Sequence, residues 1–523
     1  AAATGPSARI SGSITSFGFA PSCTGTVPGA QLDAGAANGR LTLNGDGSSS
    51  YEPPAGLNAL TRTFCYTVTG GDTANVTFSI LNQPRTWFIN ATAAAGGNGT
   101  QARPFNTLTG AGSFNAVAAD GDGDTLYLEG NHTCGLTLRP SQGVIGGGSS
   151  QNLATFTAIT PVTGSAFPTL SGTRPLLTAA ADCLTLGSNN TLRGFNFGNV
   201  GAANNALVGS GFGTLTVNDA AIATDGQALN LSNGTLNATF GSVSSSGGTF
   251  NVRLNSITGT ADLGSGALTG ALSGVAFVVS GFSLATNTVA ITYSGSITAG
   301  RPIDIQSHSV GNITLSGALS SNGTSTAINI ANNTGGTIAL SGASKVVSAG
   351  ANPAVTLSNN TGATINFTGG GLAISTTGGA GFSATGGGTV NVTGSGNTIT
   401  SGSGTALNVA NTNIGASGMT FQSISANGAA NGIVLNNTGV LGGLTVTGTG
   451  VTAGSGGTIQ NIANRGASFI SASNISLSNM NFTNTATAAG APCGSAAVVG
   501  ANTGCNAAIH LQTVTTVALN RLN

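Results

Sequence analysis

Three acidic residues at alternate positions form the first pattern in this chain that could bind a metal ion. Asp120, Asp122 and Asp124 are separated by single glycines. Carboxylate oxygens are the ligands that Ca²⁺ prefers, and calcium loops begin with acidic residues in this spacing. Such loops place a glutamate at their twelfth position, where this chain has Asn131. The missing glutamate favours an Asp/Gly turn before a strand, with a calcium site as the alternative, and no other cofactor is predicted.

A second group of residues that could do chemistry is Arg301, Asp304 and His308. In a strand with Ile303 and Ile305 facing inward, Asp304 points outward beside a cation and an imidazole. This combination could transfer protons, because histidine titrates near neutral pH. An exposed polar trio on a strand is the simpler interpretation, since an Asp-His contact without a nucleophile or second carboxylate is not a catalytic site.

The other acidic residues make glycan cleavage an unfavoured activity. Glycoside hydrolysis requires two carboxylates in one site. Four acids lie between Glu129 and Asp304, each without a second acid expected in the same strand, and no residue from 305 to 523 is Asp or Glu. They are Asp182, Asp219, Asp225 and Asp262. We therefore predict no catalytic residue, no metal site beyond the calcium alternative, and a protein that is not an enzyme.

Six cysteines predict disulfides and an oxidising compartment. The chain has no CxxC motif and no Cys/His cluster, so structural disulfides are favoured over metal ligation. Many connectivities are possible, and position along the chain favours one between neighbouring cysteines. The predicted pairs are Cys23–Cys65, Cys134–Cys183 and Cys493–Cys505. An extracellular or cell-surface location follows from this prediction.

A repeated apolar phrase predicts the elements that carry these residues. It recurs at steps of about 26 residues, with a second apolar alternation about ten residues after each occurrence. Alternation sends every other side chain to one face, which is typical of strands. The first positions are Ile328, Val355, Phe382, Leu407 and Ile433, and the second pairs are Ile338/Leu340, Ile365/Phe367, Val390/Val392, Met419/Phe421 and Leu444/Val446.

Asparagine and glycine between the paired strands predict the corners of a solenoid. Asn332-Asn333, Asn359-Asn360, Asn411 and Asn436-Asn437 occupy these positions, and such residues tolerate left-handed backbone. Strand, corner, strand, corner and a third short strand make one turn of a parallel β-helix, with the next turn about 4.8 Å away. The same architecture explains the 85 glycines and the 5% of charged residues.

Composition excludes several classes of protein. The 13 cations and 13 anions are spread thinly, so no nucleic-acid surface is predicted. No apolar run approaches the length of a membrane span. A disordered chain is also disfavoured, because 39% of the residues are hydrophobic and they occur periodically.

Residues 1–82 predict a small β-sandwich. Strands are expected at Leu41–Leu43, Ser50–Pro53, Thr63–Val68 and Val76–Ile80. The sequence of residues 40–80 resembles the immunoglobulin- or cadherin-like modules of bacterial surface proteins. The resemblance implies an immunoglobulin-like sandwich module preceding the solenoid.

Residues 83–523 predict the solenoid, with an insertion over about residues 149–172. The segments Gly96–Leu108 and Gly123–Gly130 resemble the opening of right-handed parallel β-helices of the pectin-lyase-like superfamily. That resemblance implies an all-β, right-handed parallel β-helix, which the repeat length sets at about fifteen turns. The superfamily includes lyases, hydrolases, adhesins and fibres, so the fold does not decide the chemistry.

The predicted function is therefore structural. No polar cap is visible after Val517, so we expect the β-helix to continue beyond this sequence or to be covered by another subunit. We predict a bacterial secreted or cell-surface structural or adhesive protein, with a self-assembling fibre subunit as the narrower form of this prediction. Its predicted partners are copies of itself, neighbouring surface proteins or glycans. The alternative is a carbohydrate-active enzyme or a glycan-binding β-helix.

Overall fold

The chain folds as an all-β protein that is 2% helical. The computed structural model describes six strands between residues 14 and 80, residues 84–483 apart from 118–119, 162–165, 282–286, 322 and 324, and residues 507–523. Contacts divide the chain into two compact units. The first contains Ala1–Thr178, Leu184–Asn196 and Asn218–Ala220, and the second contains Ala179–Cys183, Phe197–Val217 and Ala221–Asn523.

Two small antiparallel sheets begin the first unit. One sheet has the order β1-β5-β6 and the other β2-β3-β4. Their strands are β1 (Ile14–Phe19), β2 (Gln31–Asp33), β3 (Arg40–Leu43), β4 (Ser49–Glu52), β5 (Leu60–Val68) and β6 (Thr73–Ile80). All four strands expected from the sequence are present.

An aromatic cluster joins these two sheets. Tyr51 of β4 packs against Phe64 of β5 and Phe78 of β6, with ring centroids 4.9 and 5.4 Å away. Aromatic pairs at such distances stabilise a core beyond their buried area. The arrangement is compatible with the small sandwich, while the likeness to immunoglobulin-like modules and the boundary at residue 82 stay predictions.

The first strands of the solenoid also lie in the first unit. They are β7 (Thr86–Asn90), β8 (Thr125–Glu129), β9 (His132–Thr133), β10 (Leu136–Thr137), β11 (Gly143–Gly146), β12 (Leu176–Thr178), β13 (Leu184–Thr185) and β14 (Thr191–Arg193). Parallel register places Leu126 of β8 between Trp87 and Val144, and all three are buried. Residues after them on each strand, Phe88, Tyr127 and Ile145, form the next row.

The predicted insertion covers that second row. It lies between β11 and β12 and contains the short helix α1 (Leu153–Thr157), whose N-cap Asn152 accepts a hydrogen bond from the Thr155 amide at 2.8 Å. Leu153 and Phe156 pack with the row of Phe88, Tyr127 and Ile145. The insertion therefore buries an outer face that would otherwise be apolar and exposed.

The edge of β7 is covered by the segment that follows it. Phe105 forms an isolated bridge with Ile89, and its ring stacks on Trp87 at 6.2 Å between centroids. Phe114, in a 3-10 turn, makes an edge-on contact with Trp87, with 5.9 Å between ring centroids. An exposed strand edge is a site for unwanted pairing, and this segment occupies it.

The remaining strands continue the solenoid, which has about 12 turns. From β15 to β29 they are β15 (Asn196–Phe197), β16 (Asn205–Thr224), β17 (Gln227–Ser245), β18 (Val252–Asp262), β19 (Ala267–Leu268), β20 (Val275–Ser280), β21 (Ala290–Tyr293), β22 (Ser296–Ala299), β23 (Arg301–Gln306), β24 (Asn312–Leu315), β25 (Leu319–Ser321), β26 (Ile328–Ala331), β27 (Thr337–Leu340), β28 (Lys345–Gly350) and β29 (Val355–Ser358). The last sixteen are β30 (Thr364–Phe367), β31 (Leu372–Thr376), β32 (Phe382–Thr385), β33 (Thr389–Val392), β34 (Thr398–Ser401), β35 (Leu407–Ala410), β36 (Asn413–Phe421), β37 (Ser423–Asn427), β38 (Asn431–Asn436), β39 (Leu444–Val446), β40 (Thr458–Gln460), β41 (Arg465–Ile470), β42 (Ser473–Ser478), β43 (Asn481–Thr483), β44 (Ala507–Gln512) and β45 (Thr515–Asn520).

Strand register confirms the repeat. From β18 to β42 each strand pairs in parallel with the strand three positions later in the chain, so three rows of strands run along this part of the second unit. The five first positions of the apolar phrase are direct neighbours and form one buried column: Ile328, Val355, Phe382, Leu407 and Ile433. Because each apolar side chain packs on the one in the next turn, it is removed from water. Burial of each side chain stabilises the fold by about 2 kcal/mol.

The predicted corners are also confirmed. Asn332, Asn359, Asn411 and Asn437 have φ angles of 56°, 54°, 50° and 54°. Asparagine accepts this left-handed backbone more readily than other non-glycine residues. The sequence pattern of period, strand and corner therefore corresponds to the three-dimensional repeat.

One strand departs from the regular register, and the expected number of turns was wrong. Val390 pairs with Ile414 and Val392 with Met419, because β36 carries extra residues between these two pairings. The solenoid has about 12 turns instead of about fifteen, because long excursions such as the α1 insertion use residues that the repeat arithmetic assigned to turns. The repeat length holds only where corners are short.

The last described turn presents apolar side chains at its surface. Leu511 of β44 and Val517 and Leu519 of β45 are 44%, 37% and 46% exposed. Leu519 pairs with the buried Leu477, so it stands at the end of an interior column. Continuation of the chain or cover by another subunit stays a prediction.

Candidate functional site

The alternate aspartates make structural bonds that fix a turn. Asp124 is buried and accepts hydrogen bonds from the Trp87 indole and the Arg85 amide, each at 2.7 Å. Asp120 forms an ion pair with Arg139 at 3.1 Å and accepts from the Gln142 amide. Burial raises the pKa of Asp120, and the Arg139 charge opposes this shift. These bonds match the turn interpretation, and the calcium alternative stays a prediction.

The prediction that Asp304 and His308 lie beside each other is wrong. Asp304 does point outward and pairs with Arg301 at 3.0 Å, and it accepts from the amides of Gln306 at 2.7 Å and Asn329 at 2.9 Å. His308 lies inside the corner, where its Nε2 is 3.2 Å from the Gly311 carbonyl oxygen. The strand ends at Gln306, so the chain turns before His308 and sends its ring to the interior.

On the two turns after His308, Asn333 and Asn360 occupy the corresponding interior position. The Asn333 side chain accepts a hydrogen bond from the His308 amide at 2.8 Å, and its Nδ2 donates to Asn360 Oδ1 at 2.8 Å. Asn360 in turn donates to the Ile330 carbonyl at 2.9 Å. Burial lowers the pKa of His308, against bonds to the Gly311 and Asn287 backbone that raise it. Burial therefore favours the uncharged form of the ring, and His308 joins the asparagine ladder through its backbone amide.

The remaining acids of the solenoid tie its backbone together. Asp225 accepts from the amides of Val200 and Gly201 at 2.9 and 2.8 Å. Asp182 accepts from the Asn205 amide at 2.8 Å, and Asp262 from the Gly264 amide at 3.0 Å. A carboxylate that accepts backbone amides stabilises a turn more strongly than a neutral acceptor.

Asp219 belongs to a similar structural network. It pairs with Arg193 at 2.8 Å and accepts from the Ser150 amide and hydroxyl at 3.0 and 2.8 Å. Burial acts to raise the pKa of Asp219, but the bonds from Ser150 and Arg193 outweigh it and lower the pKa. Arg193 also donates to Gln151 at 2.8 Å, so the pair anchors the start of the insertion.

The only lysine of the chain is buried in the solenoid interior. Lys345 is 1% exposed, and its ammonium donates to the carbonyl oxygens of Gly342, Thr368 and Gly370, the last two at 2.8 and 2.7 Å. Burial lowers the pKa of Lys345. Asn397 meets three backbone carbonyls in a comparable way through its Nδ2. Lys345 therefore satisfies corner carbonyls and is not available as a catalytic amine.

The outward residues of one sheet form a polar row with a cavity. From Asp304 the row runs through Asn329, Thr356, Ser383 and Asn408 to Val434, one residue per strand. A cavity of about 410 Å³ opens over its later strands. It is lined by Ala380, Gly404, Thr405, Asn408, Ala410, Asn431, Val434 and Asn436. We define these lining residues as the outer groove.

Two polar atoms, one on the groove residue Asn431 and one on its register neighbour Arg465, have no hydrogen-bond partner among the described residues. Asn431 begins β38 and Arg465 begins β41, and the two are neighbours in the parallel register. Asn431 Oδ1 and Arg465 Nη2 are both buried and unpaired. Arg465 is 2% exposed, and its Nη1 lies 3.4 Å from the Ser468 hydroxyl. Buried polar atoms are usually hydrogen-bonded, so these two neighbouring atoms are candidates for contact with a bound polar group.

Cysteine pairing stays a prediction for all three bridges. Cys65, Cys134 and Cys183 are disulfide-bonded, and no described cysteine is free. Cys23, Cys493 and Cys505 lie outside the described residues. Disulfide bonding is therefore present, and the oxidising compartment stays a prediction.

Comparison with protein families, curated proteins and solved structures finds no match to this chain. Among residues 84–483 and 507–523, apart from the short gaps named above, no three His, Cys, Asp or Glu side chains are grouped to hold a metal ion. The described helices include none with the length and apolar character of a membrane span.

Sequence reasoning missed Lys345, Arg465 and the interior asparagines. A signal for the cations was present, because Lys345, Arg465 and Arg521 are the only Lys or Arg after Asp304, in a segment that has no acid. Because a turn contacts only its neighbouring turns, a cation in this acid-free segment has no carboxylate nearby with which to form an ion pair. The sequence does not distinguish the two residues of the Asn-Asn pairs that contribute to the interior ladder. In those pairs the first residue adopts the left-handed corner and the second forms the interior hydrogen bonds, but both are asparagine.

Proposed function

We propose that this chain is a secreted or cell-surface structural protein with an adhesive role. One observation carries the proposal: seven of the described aspartates, at 120, 124, 182, 219, 225, 262 and 304, make hydrogen bonds that hold turns or neighbouring strands together. The catalytic carboxylates of a typical glycoside hydrolase need access to the substrate and a second carboxylate in the same site. Aspartates that hold turns and strands together are consistent with a structural role for the protein.

The surface of the repeat supports the same role. Outward positions such as Asn329, Thr356 and Ser383 are small and polar, while the interior columns are continuous and apolar. The strands of each turn hydrogen-bond to those of the next turn, so the repeat resists local opening. Such a scaffold presents a regular polar face to a partner surface.

Assembly into a fibre is the narrower form of the proposal. A second copy that contacted the last described turn would bury Leu511, Val517 and Leu519. The edge of β7 is already occupied by Phe105, so head-to-tail pairing of strand edges would first require displacement of that segment. Microscopy therefore has three informative outcomes: fibres, pairs joined through one end, or single particles.

A glycan-binding protein is the second candidate, and the outer groove favours it. Its lining has amide and hydroxyl groups between small residues, the kind of surface that hydrogen-bonds sugars. A carbohydrate-active enzyme is less well supported, since Asp304 contacts Arg301, Gln306 and Asn329 and no second carboxylate.

The test combines negative-stain electron microscopy with a cleavage assay. The purified chain is imaged across a concentration series and incubated with neutral and acidic polysaccharides, beside the Asp304→Ala variant. We expect no release of reducing ends or unsaturated products from wild type or variant. Cleavage by wild type that Asp304→Ala abolishes would refute the structural proposal.

Assembly is tested with a matched pair of variants. Leu519→Lys places a charge on the last described turn, and Val440→Lys places one at an exposed residue elsewhere, 75% exposed. If copies associate through the last turn, sedimentation shows loss of the larger species for Leu519→Lys alone. Equal sedimentation of both variants and wild type contradicts association through that turn.

A further inference from the structure

The outer groove has the dimensions of a ligand site. Its volume of about 410 Å³ falls within the range of about 300–1,000 Å³ that is usual for small-molecule pockets. The lining combines small residues, which leave space next to the sheet, with amides and a hydroxyl that can orient a polar ligand. Gly404, Ala380 and Ala410 leave the space, and Thr405, Asn408, Asn431 and Asn436 supply the polar groups.

The charge of Arg465 needs a counter-charge from outside the chain. Its side chain is 2% exposed, and the ion pairs of the described residues do not include it. No residue from 305 to 523 is acidic, so nothing on the surrounding turns could supply an anion. Burying an unpaired guanidinium costs several kcal/mol. An anion bound beside Arg465 would offset this cost.

The groups beside Arg465 narrow the chemistry of that anion. Its Nη2 is a free donor, and Asn431 Oδ1, on the neighbouring strand at the paired position, is a free acceptor. A carboxylate matches the guanidinium, and a hydroxyl next to the carboxylate could donate to the amide oxygen. A single guanidinium with one free nitrogen suits a monoanion better than a phosphate dianion.

We propose that the outer groove binds a hydroxylated carboxylate, the unit found in acidic sugars, with its carboxylate at Arg465 and a hydroxyl at Asn431. Adjoining units of a longer ligand would lie against Asn408 and Thr405. This inference rests on the adhesive role proposed above and names its ligand class. The structural role itself is judged separately, by microscopy and the cleavage assay.

Isothermal titration calorimetry tests the proposal with matched ligands. Glucuronate and a glucuronate-containing oligosaccharide are compared with glucose and a neutral oligosaccharide of the same length. We expect binding of the acidic ligands only, weaker at high salt because the contact is ionic. Tighter binding of the oligosaccharide than of the monomer would place further units in the groove, and similar affinities would limit the site to one unit.

Variants connect the binding to the named residues. Arg465→Gln removes the charge and keeps a polar side chain, and we expect at least a tenfold loss of affinity. Ala410→Phe fills the groove from its lining without altering the buried arginine, and we expect it to block binding as well. Arg521→Gln, an exposed cation of the same acid-free segment, is the control and should bind as wild type does.

The inference has clear grounds for rejection. Failure of wild type to bind any acidic ligand, equal binding of glucose and glucuronate, or wild-type affinity in both Arg465→Gln and Ala410→Phe would each overturn it. Circular dichroism and thermal melting of each variant establish that it is folded before titration. If Arg465→Gln does not fold, Ala410→Phe alone decides the result.

Discussion

Replacement of Lys345 by methionine tests how much the buried ammonium stabilises the solenoid. Methionine has a similar length and flexibility, so it fills the same space without a donor. The change leaves the carbonyl oxygens of Gly342, Thr368 and Gly370 without the ammonium. All three carbonyls belong to corner residues that lie between strands.

The expected magnitude follows from these bonds. Each hydrogen bond to a charged group contributes about 1.5–3 kcal/mol, and the desolvation of the ammonium cancels part of the total. We expect Lys345→Met to lower the free energy of unfolding by about 3 kcal/mol. A loss of that size is detectable as a shift of the urea midpoint followed by circular dichroism near 218 nm, a band typical of strands.

The pH dependence of this loss has a defined sign. Burial lowers the pKa of Lys345 from its ordinary value of 10.5. Between the lowered pKa and 10.5 the unfolded chain holds a proton that the folded chain has released, so wild-type stability rises with pH across that window. Lys345→Met lacks this dependence, so the difference between the two proteins should change only at alkaline pH.

The control is Val346→Met on the same strand, where the side chain is 48% exposed. It should change stability by less than about 0.5 kcal/mol. If Lys345→Met is as stable as wild type, or if both variants lose stability equally, the carbonyl cluster does not depend on the ammonium and the reasoning is refuted.

Four further predictions concern the interior, the disulfides and the aspartate turn. The lowered pKa of His308 means that the unfolded chain protonates first as pH falls below about 6.5, so the urea midpoint should fall between pH 7.5 and pH 5, and His308→Asn should reduce that fall. Asn360→Ala should cost about 2 kcal/mol, because it removes a buried ladder bond, while the exposed Thr361→Ala should be neutral by urea titration. Peptide mapping without reduction should show three bridges between neighbouring cysteines, and a bridge to a more distant cysteine would contradict the pairing. Melting with and without chelator should give the same temperature if the alternate aspartates form only a turn, whereas a lower temperature with chelator would support the calcium alternative.

The sequence alone determined the class and the repeat. An apolar alternation at a regular step can be satisfied only by strands stacked in register, since a shift by one residue would turn each buried column to water. The columns through Ile328 and Val355, and the left-handed corners at Asn332 and Asn359, follow directly from this rule. Residue type and spacing are local properties, so the sequence displays them.

Only the tertiary structure decided where polar groups go. His308 was expected beside Asp304 because the two are close in sequence, but the strand ends between them and the corner sends the imidazole inward. Asn360 reads as a corner residue, yet its side chain bonds the turn before it.

The candidate binding site shows the same limit. Asn431 and Arg465 are far apart in the sequence, and parallel register makes them neighbours. Which polar atoms are paired, and which remain free at the end of a groove, depends on contacts between turns that no local pattern encodes. For that reason the sequence predicted the solenoid, while the site arose only from the stacking of its turns.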